Sequence, residues 1–265
     1  MDLTILGYQL GEVIGEGTYS VVKKAFSPKL GKSVAIKVID KSKLSKTYIN
    51  KFLKREIKTL TRCYHPNIVK VHEIFASQDT LLIVMEEAKL DLYELINSKH
   101  HLSERVARQI FKQITEALKY CHDLGIAHRD LKCENILLIT ENCPKLSDFG
   151  FACSDDCSSS TFCGSPAYAA PEILNGEVYN PFKADIWSLG VILYLMVTGC
   201  MPFNDNDLSK LVKLQAQALK FPPTPCLTAC CQNLIIKMIK KDPAERSSIN
   251  NILAHPWFQC AEQGA

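Results

Sequence analysis

Asp130, Lys132 and Asn135 fall within six positions in His128-Arg129-Asp130-Leu131-Lys132-Cys133-Glu134-Asn135, and Asp148-Phe149-Gly150 follows a short step downstream. The first block offers a carboxylate, a cation and an amide; the second adds a carboxylate beside glycine. Phosphoryl transfer from ATP needs such a set: a group to take the hydroxyl proton, a cation for the phosphate, and oxygen ligands for Mg²⁺. Asp130 is the candidate to accept or orient the proton of the acceptor hydroxyl. Lys132 would steady the transferred group, Asn135 would hold one metal ion, and Asp148 would chelate Mg²⁺ bridging the β- and γ-phosphates. His128 and Phe149 read as packing residues, because Asp130 already fills the role of base. Either motif alone is a modest signal; the two in this order are a strong one.

Such groups must be held by a scaffold, and its elements are visible in the chain. Val34-Ala35-Ile36-Lys37-Val38-Ile39 is a β-branched strand bounded by the turn signal Leu30-Gly31-Lys32. Runs 68–75 and 81–85 have the same character. Between them Ile49, Phe52, Leu53, Ile57 and Leu60 recur at helical spacing, so one helix crosses a small sheet. Beyond Met85, Val106, Ile110, Ile114 and Leu118 repeat every fourth residue, marking an amphipathic helix that leads into the His128 block. Residues 186–196 are apolar nearly all round, as a central helix would be. A β-rich small lobe and a helical large lobe follow, joined by a hinge at 88–90.

Ile14, Gly15, Glu16, Gly17, Thr18, Tyr19, Ser20, Val21 and Val22 form a glycine-rich turn between two strands. Glycine lets the backbone approach phosphates without a Cβ in the way. Ser20 stands where a third glycine is usual, so this loop alone is equally a plain hairpin. Lys37 is placed to reach the α- and β-phosphates, and Glu56 on the following helix is its expected ion-pair partner. An exposed strand lysine and an exposed helical glutamate are the plain readings of each. The order loop, strand lysine, helix glutamate outweighs them.

Composition narrows the class. At 265 residues and 47% apolar content the chain can bury a substantial core. A net charge of +3 gives no hint of a nucleic-acid surface. Residues 1–10 lack the basic start and apolar core of a signal peptide, and the apolar stretch 189–197 is too short to span a bilayer. The twelve cysteines are scattered without paired zinc spacing and read as reduced thiols of a cytoplasmic protein.

This constellation resembles the eukaryotic protein kinases of serine/threonine type, over residues 8–258. Ala170-Pro171-Glu172 closes an activation segment, Asp185-Ile186-Trp187-Ser188-Leu189-Gly190 opens the central helix, Arg246 would pair with Glu172, and His255-Pro256-Trp257 ends the domain. Cys163-Gly164-Ser165-Pro166, Tyr168 and Leu131-Lys132 resemble the serine/threonine type. Within that family the chain is similar to the testis-specific serine/threonine kinases, of the calmodulin-dependent and AMP-activated-like group. Gly7-Tyr8-Gln9-Leu10-Gly11, Cys133 in place of the usual proline, Phe151 after the glycine, and Val197-Thr198-Gly199-Cys200-Met201-Pro202-Phe203-Asn204-Asp205 carry that similarity.

The resemblance implies an α+β bilobal kinase fold, with an N-lobe over about 8–87, a C-lobe over about 91–258 and a short tail at 259–265. It implies ATP and Mg²⁺, with Mn²⁺ as a substitute, and places Glu86, Ala88 and Asp91 at the nucleotide. The hinge lacks the common glycine pair, which leaves Asp91 as the ribose candidate. Protein substrates, an upstream kinase and a chaperone are the implied partners, with no nucleic acid, no membrane and a monomeric state. A role in spermatid development or sperm function rests on the same similarity. Thr161 stands where related kinases are activated by phosphorylation, Arg129 would receive that phosphate, and Ser165 would contact Asp130 or Lys132. The chain ends soon after the domain, so regulation is expected in that segment or in partners. Glu134 and Asp91 could meet an arginine upstream of the target hydroxyl; internal bonding of Glu134 and a ribose role for Asp91 are the alternative. Cys133 is either a buried filler or a thiol activated by Lys132. Two rival functions remain: a pseudokinase, opposed by intact Lys37, Asp130, Asn135 and Asp148, and a small-molecule kinase, opposed by Ala170-Pro171-Glu172 and its following helix.

Overall fold

Three consecutive strands come first among the described residues: β1 (Gln9–Gly17), β2 (Ser20–Ser27) and β3 (Lys32–Asp40). This computed structural model describes residues 7–17, 20–45, 53–154, 163–203 and 207–259. Helix α1 (Lys54–Arg62) follows, then β4 (Val71–Ala76) and β5 (Thr80–Glu86). The five strands make one antiparallel sheet in the order β1-β2-β3-β5-β4. Ile39, Leu81 and Ile83 on its inner face pack against Leu53, Ile57 and Leu60 of the α1 region. The predicted helix is therefore present from Lys54 onward; Ile49 and Phe52 lie outside the described residues. The predicted strand 68–75 starts later, at Val71. Asn67 explains the delay: its Nδ2 donates to the Pro144 carbonyl at 2.9 Å, and Val69 N–H donates to the Leu146 carbonyl at 2.9 Å. The segment before β4 is thus tied to the other lobe.

The chain crosses between lobes over residues 87–89 and enters β6 (Leu90–Asp91). Helices α2 (Leu92–Lys99) and α3 (Glu104–Asp123) come next, followed by β7 (Ile126–Ala127), β8 (Ile136–Thr140), β9 (Cys143–Leu146) and β10 (Cys153–Ser154). The remainder is helical: α4 (Pro171–Leu174), α5 (Pro181–Thr198), α6 (Leu208–Gln215), α7 (Ala229–Met238) and α8 (Ile249–Leu253). The fold is thus of the mixed α+β class, with a five-stranded sheet followed by a largely helical part.

Helix α5 starts four residues earlier than Asp185, because Asn180 caps Phe182 and Lys183 N–H and Pro181 supplies the first helical φ. It is long and apolar enough by composition to cross a membrane, yet 83% of it is buried inside the protein. Gly199 ends it in the left-handed region at φ 73°, where a Cβ would fall 1.9 Å from the His100 carbonyl oxygen. No larger residue fits there. Trp257 is fully buried and donates to Glu104 Oε2 at 2.8 Å, fastening the end of the described chain to α3. The ten described cysteines are free thiols.

Candidate active site

Side chains alternate across a sheet, and the register of β2, β3 and β5 sets one face of the cleft. Val22 lies opposite Lys37, Lys37 opposite Ile83, and Ala35 opposite Met85, so these residues share a face. Ile14, Gly15, Glu16 and Gly17 of β1 and Ser20 of β2 form its roof. Gly17 and Ser20 pair across the hairpin, so the serine keeps the turn closed where a third glycine was missing. Thr18 and Tyr19 lie outside the described residues. Val21 points its pairing toward Val38 and does not line the cleft.

The cleft measures about 810 Å³, within the range for a small-molecule site. Glu86, Ala88 and Asp91 border it, as expected from the hinge. Glu86 turns its carboxylate away, to Lys145 Nζ at 3.0 Å and Lys70 N–H at 2.7 Å, leaving its backbone at the cleft. Asp91 is the N-cap of α2: it accepts from Glu94 N–H at 2.8 Å, while Glu94 Oε2 accepts from Asp91 N–H at 2.9 Å. Burial raises its carboxyl above the ordinary value, opposed by the Glu94 N–H bond and aided by the nearby Glu94 and Glu134 charges.

Lys37 joins the lobes chemically. Its Nζ stands 2.8 Å from Glu56 Oε1 and 3.5 Å from Asp148 Oδ1. Glu56 is only 5% exposed, so the lysine is the cation that makes its burial tolerable. Burial pushes the Asp148 carboxyl up, but the Lys37 charge, with His128, the Gly150 N–H and Lys132, brings it below the ordinary value. Asp148 adopts φ 56°, a left-handed backbone that a non-glycine residue rarely takes, as functional sites often require.

The His128 block is held from below. Asp185 Oδ2 accepts from His128 N–H and Oδ1 from Arg129 N–H, both at 2.8 Å. Arg129 has φ 68°, and this bond stabilises the unusual turn. His128 is fully buried; its Nε2 donates to the Ser147 carbonyl at 2.9 Å, its Nδ1 accepts from Asp130 N–H at 3.3 Å, and its ring lies 4.9 Å from that of Phe149. Both are packing residues, as read from the sequence. Asp130 then emerges with its carboxylate shared: Oδ2 accepts from Asn135 Nδ2 at 3.1 Å and lies 3.3 Å from Lys132 Nζ, and Oδ1 accepts from Ser165 N–H at 3.1 Å. Lys132 also donates to Ser165 Oγ at 3.2 Å. Gly164 allows that approach, since at φ 90° a Cβ would fall 2.8 Å from the Arg129 carbonyl oxygen.

Asn135 uses its amide N–H₂ on Asp130 and so offers Oδ1 as an oxygen donor. With the Asp148 carboxylate it makes an all-oxygen donor pair carrying one negative charge. That set fits Mg²⁺, which binds through one or two protein ligands and completes its shell with phosphates and water. Arg129 Nε and Nη2 donate to Tyr179 Oη at 3.3 and 3.1 Å. Thr161, the residue expected to deliver phosphate to Arg129, lies outside the described residues. Glu134 is exposed beside the cleft and accepts from Tyr168 Oη at 3.4 Å. Cys133 is fully buried, and burial raises its thiol well above the usual range, so the reading of an activated thiol fails.

Sequence reasoning missed Ala35, Val69, Met85, Leu137 and Ser147, which are among the residues that line the cleft. Ala35 had a signal, two residues before Lys37 in the same strand. It also missed Asp185 as the anchor of the catalytic turn, a contact across more than fifty residues.

Residues 8–258 match the family model of the protein kinase domain. The chain is 47% identical to testis-specific serine/threonine-protein kinase 1 of Homo sapiens, over 98% of this chain and 73% of that protein. It is 45% identical to testis-specific serine/threonine-protein kinase 3 of Homo sapiens, over 95% of this chain and 96% of that one. CBL-interacting serine/threonine-protein kinase 17 of Arabidopsis thaliana is 40% identical over 95% of this chain and 60% of its own length. A cleft with the Lys37–Glu56 pair on one side and the Asp130 turn on the other, matched over almost every described residue, places this chain in the protein kinase family, as a serine/threonine protein kinase of the calmodulin-dependent-kinase-like group.

Proposed function

We propose that this kinase works through Asp130 as the group that takes the acceptor proton, Lys132 as the cation beside the transferred phosphoryl group, and Lys37 as the cation for the α- and β-phosphates of ATP. Glu56 orients Lys37 from behind, so that the ammonium is pre-positioned before nucleotide enters. Asn135 and Asp148 are the residues that would hold Mg²⁺, or Mn²⁺ in its place. When bound, the ion neutralises phosphate charge and aligns the leaving group. The observation that carries this reading is Asp130 Oδ2 standing 3.1 Å from Asn135 Nδ2 and 3.3 Å from Lys132 Nζ, where Asn135 and Asp148 line a cleft whose other wall supplies Lys37. The Asp130→Asn protein tests it. Its kcat on a serine peptide is expected to fall by about 10²–10⁴-fold while ATP still raises its melting temperature. Near-normal turnover would overturn the assignment.

The kinase acts in the cytoplasm as a monomer, on protein substrates, with an upstream kinase and a chaperone as further partners. Its activity is raised when Thr161 is phosphorylated and Arg129 receives the phosphate. The half-buried Arg129, beside Tyr179 and Cys163 at the edge of that segment, supports this reading. A role in spermatid development or sperm function is supported by the relatives named testis-specific. Messenger and protein measured across tissues decide it: expression absent from testis leaves a kinase of the same group with another role.

A further inference from the structure

Tyr179 stands directly before Asn180, the N-cap of α5, so it belongs to the same helix start that delivers Asp185. The two residues grip Arg129 at its backbone and at its side-chain tip. Asp185 Oδ1 accepts from the Arg129 backbone N–H at 2.8 Å, and Tyr179 Oη accepts from Arg129 Nε at 3.3 Å and from Nη2 at 3.1 Å. A buried phenol needs a polar partner, and Tyr179 is only 6% exposed, so a plain core tyrosine would also place its hydroxyl against some donor. Here the donor is the charged side chain of the residue that precedes Asp130 and adopts φ 68°. Holding both ends of that residue opposes its relaxation to an ordinary backbone. The Tyr179 hydroxyl also lies 4.0 Å from Cys163 Sγ, and two residues further on Ser165 N–H donates to Asp130 Oδ1 at 3.1 Å. Tyr179 thus touches the catalytic turn on one side and the segment that carries Ser165 on the other.

We propose that Tyr179 is a positioning residue for the phosphoryl transfer: its hydroxyl anchors the Arg129 guanidinium, and through it the Asp130 turn, in enzyme that carries no phosphate. The proposal rests on the reading of Asp130 as the group that takes the acceptor proton. A hydrogen bond to a charged donor is stronger than one between neutral groups, so the contact is suited to hold a strained turn. The hydroxyl itself takes no part in the chemistry; it acts through Arg129.

Tyr179→Phe tests this, because phenylalanine keeps the ring, whose centroid lies 6.0 Å from Arg129 Cζ, and removes only the oxygen. In phosphatase-treated protein, kcat on a serine peptide should fall about tenfold, the effect of one hydrogen bond to a charged group, while KM for ATP is unchanged. Arg129→Ala should also lose activity, and adding Tyr179→Phe to it should remove nothing more. A dephosphorylated Tyr179→Phe enzyme with the kcat of the unsubstituted protein overturns the proposal. A loss equally large in the Arg129→Ala background does the same, since the hydroxyl would then act by another route. Asp130→Asn is assayed alongside: normal turnover there removes the reading beneath the proposal, whereas a crippled Asp130→Asn with an unaffected Tyr179→Phe removes the role of Tyr179 alone. If Tyr179→Phe does not fold, the Arg129 Nε–H resonance of the unsubstituted, dephosphorylated protein decides. Slow exchange of that proton with water supports the anchor, and exchange as fast as that of an exposed arginine overturns it.

Discussion

Asp185 binds the backbone N–H of Arg129 at 2.8 Å and that of neighbouring His128 at the same distance, from a helix more than fifty residues further along the chain. Its carboxylate also meets His122 Nε2 at 2.9 Å. The central helix therefore carries the turn on which Asp130 sits, and the precision of the site depends on a residue that never faces the cleft.

Replacing Asp185 by alanine leaves two buried N–H groups without acceptors, at about 1–3 kcal/mol each. Thermal unfolding should show a lowered melting temperature, and kcat should fall more than the affinity for ATP. Asp185→Asn keeps one acceptor oxygen and should lose less of both. Unchanged kcat in folded Asp185→Ala would mean that Arg129 holds its backbone unaided.

Lys37→Met removes the cation that faces both Glu56 and Asp148. Activity should drop mainly through misplaced phosphates, visible in single-turnover kinetics. The same change carries a pH signature. Asp148 has a folded-state pKa below its ordinary value, so its stabilisation is present above the ordinary carboxyl range and fades as pH falls through the lowered value. Without Lys37 that value rises. The acid limb of both stability and residual activity should therefore move to higher pH, and a limb that stays in place would refute the coupling.

Glu172 and Arg246 form a fully buried bidentate pair, with both bonds at 2.6 Å. The family resemblance implied the pairing, and the guanidinium also donates to the Lys183, Lys240 and Lys241 carbonyls. Arg246→Ala strands the carboxylate and should cost about 3–5 kcal/mol. A shift in melting temperature on the order of 10 °C is expected. Glu172→Gln with Arg246→Met should recover much of the loss, which calorimetry would register.

Thr161→Ala should depress activity strongly and Ser158→Ala only slightly, if phosphate at Thr161 orders the segment against Arg129. Enzyme fully dephosphorylated and enzyme phosphorylated at Thr161 are compared on one peptide. Equal rates would show that no such switch operates.

Glu134 stands exposed at the mouth of the cleft, near Asp91 and Glu94. A peptide array should show preference for arginine a few positions before the target hydroxyl, reduced in Glu134→Gln. Because Asp91 is engaged in capping α2, its replacement should cost stability as well as selectivity. An array indifferent to arginine would exclude this mode of recognition.

Local chemistry was legible in the chain. The spacing of Asp130, Lys132 and Asn135, the strand around Lys37 and the apolar run of α5 are short-range patterns. They act through backbone period and side-chain type, which a linear string records. Glu172 with Arg246 was legible only through family resemblance, since nothing in either neighbourhood names the other. Tertiary structure alone decided what depends on contacts between distant segments. It set Asp185 under the catalytic turn, moved the start of β4 to Val71 through Asn67 and Val69, and sealed Cys133 away from solvent against the charge of Lys132. Burial and hydrogen-bond partners fix those outcomes, and both are properties of the packed chain: desolvation overrode the lysine next to Cys133, and a buried amide overrode the β-branched run before Val71.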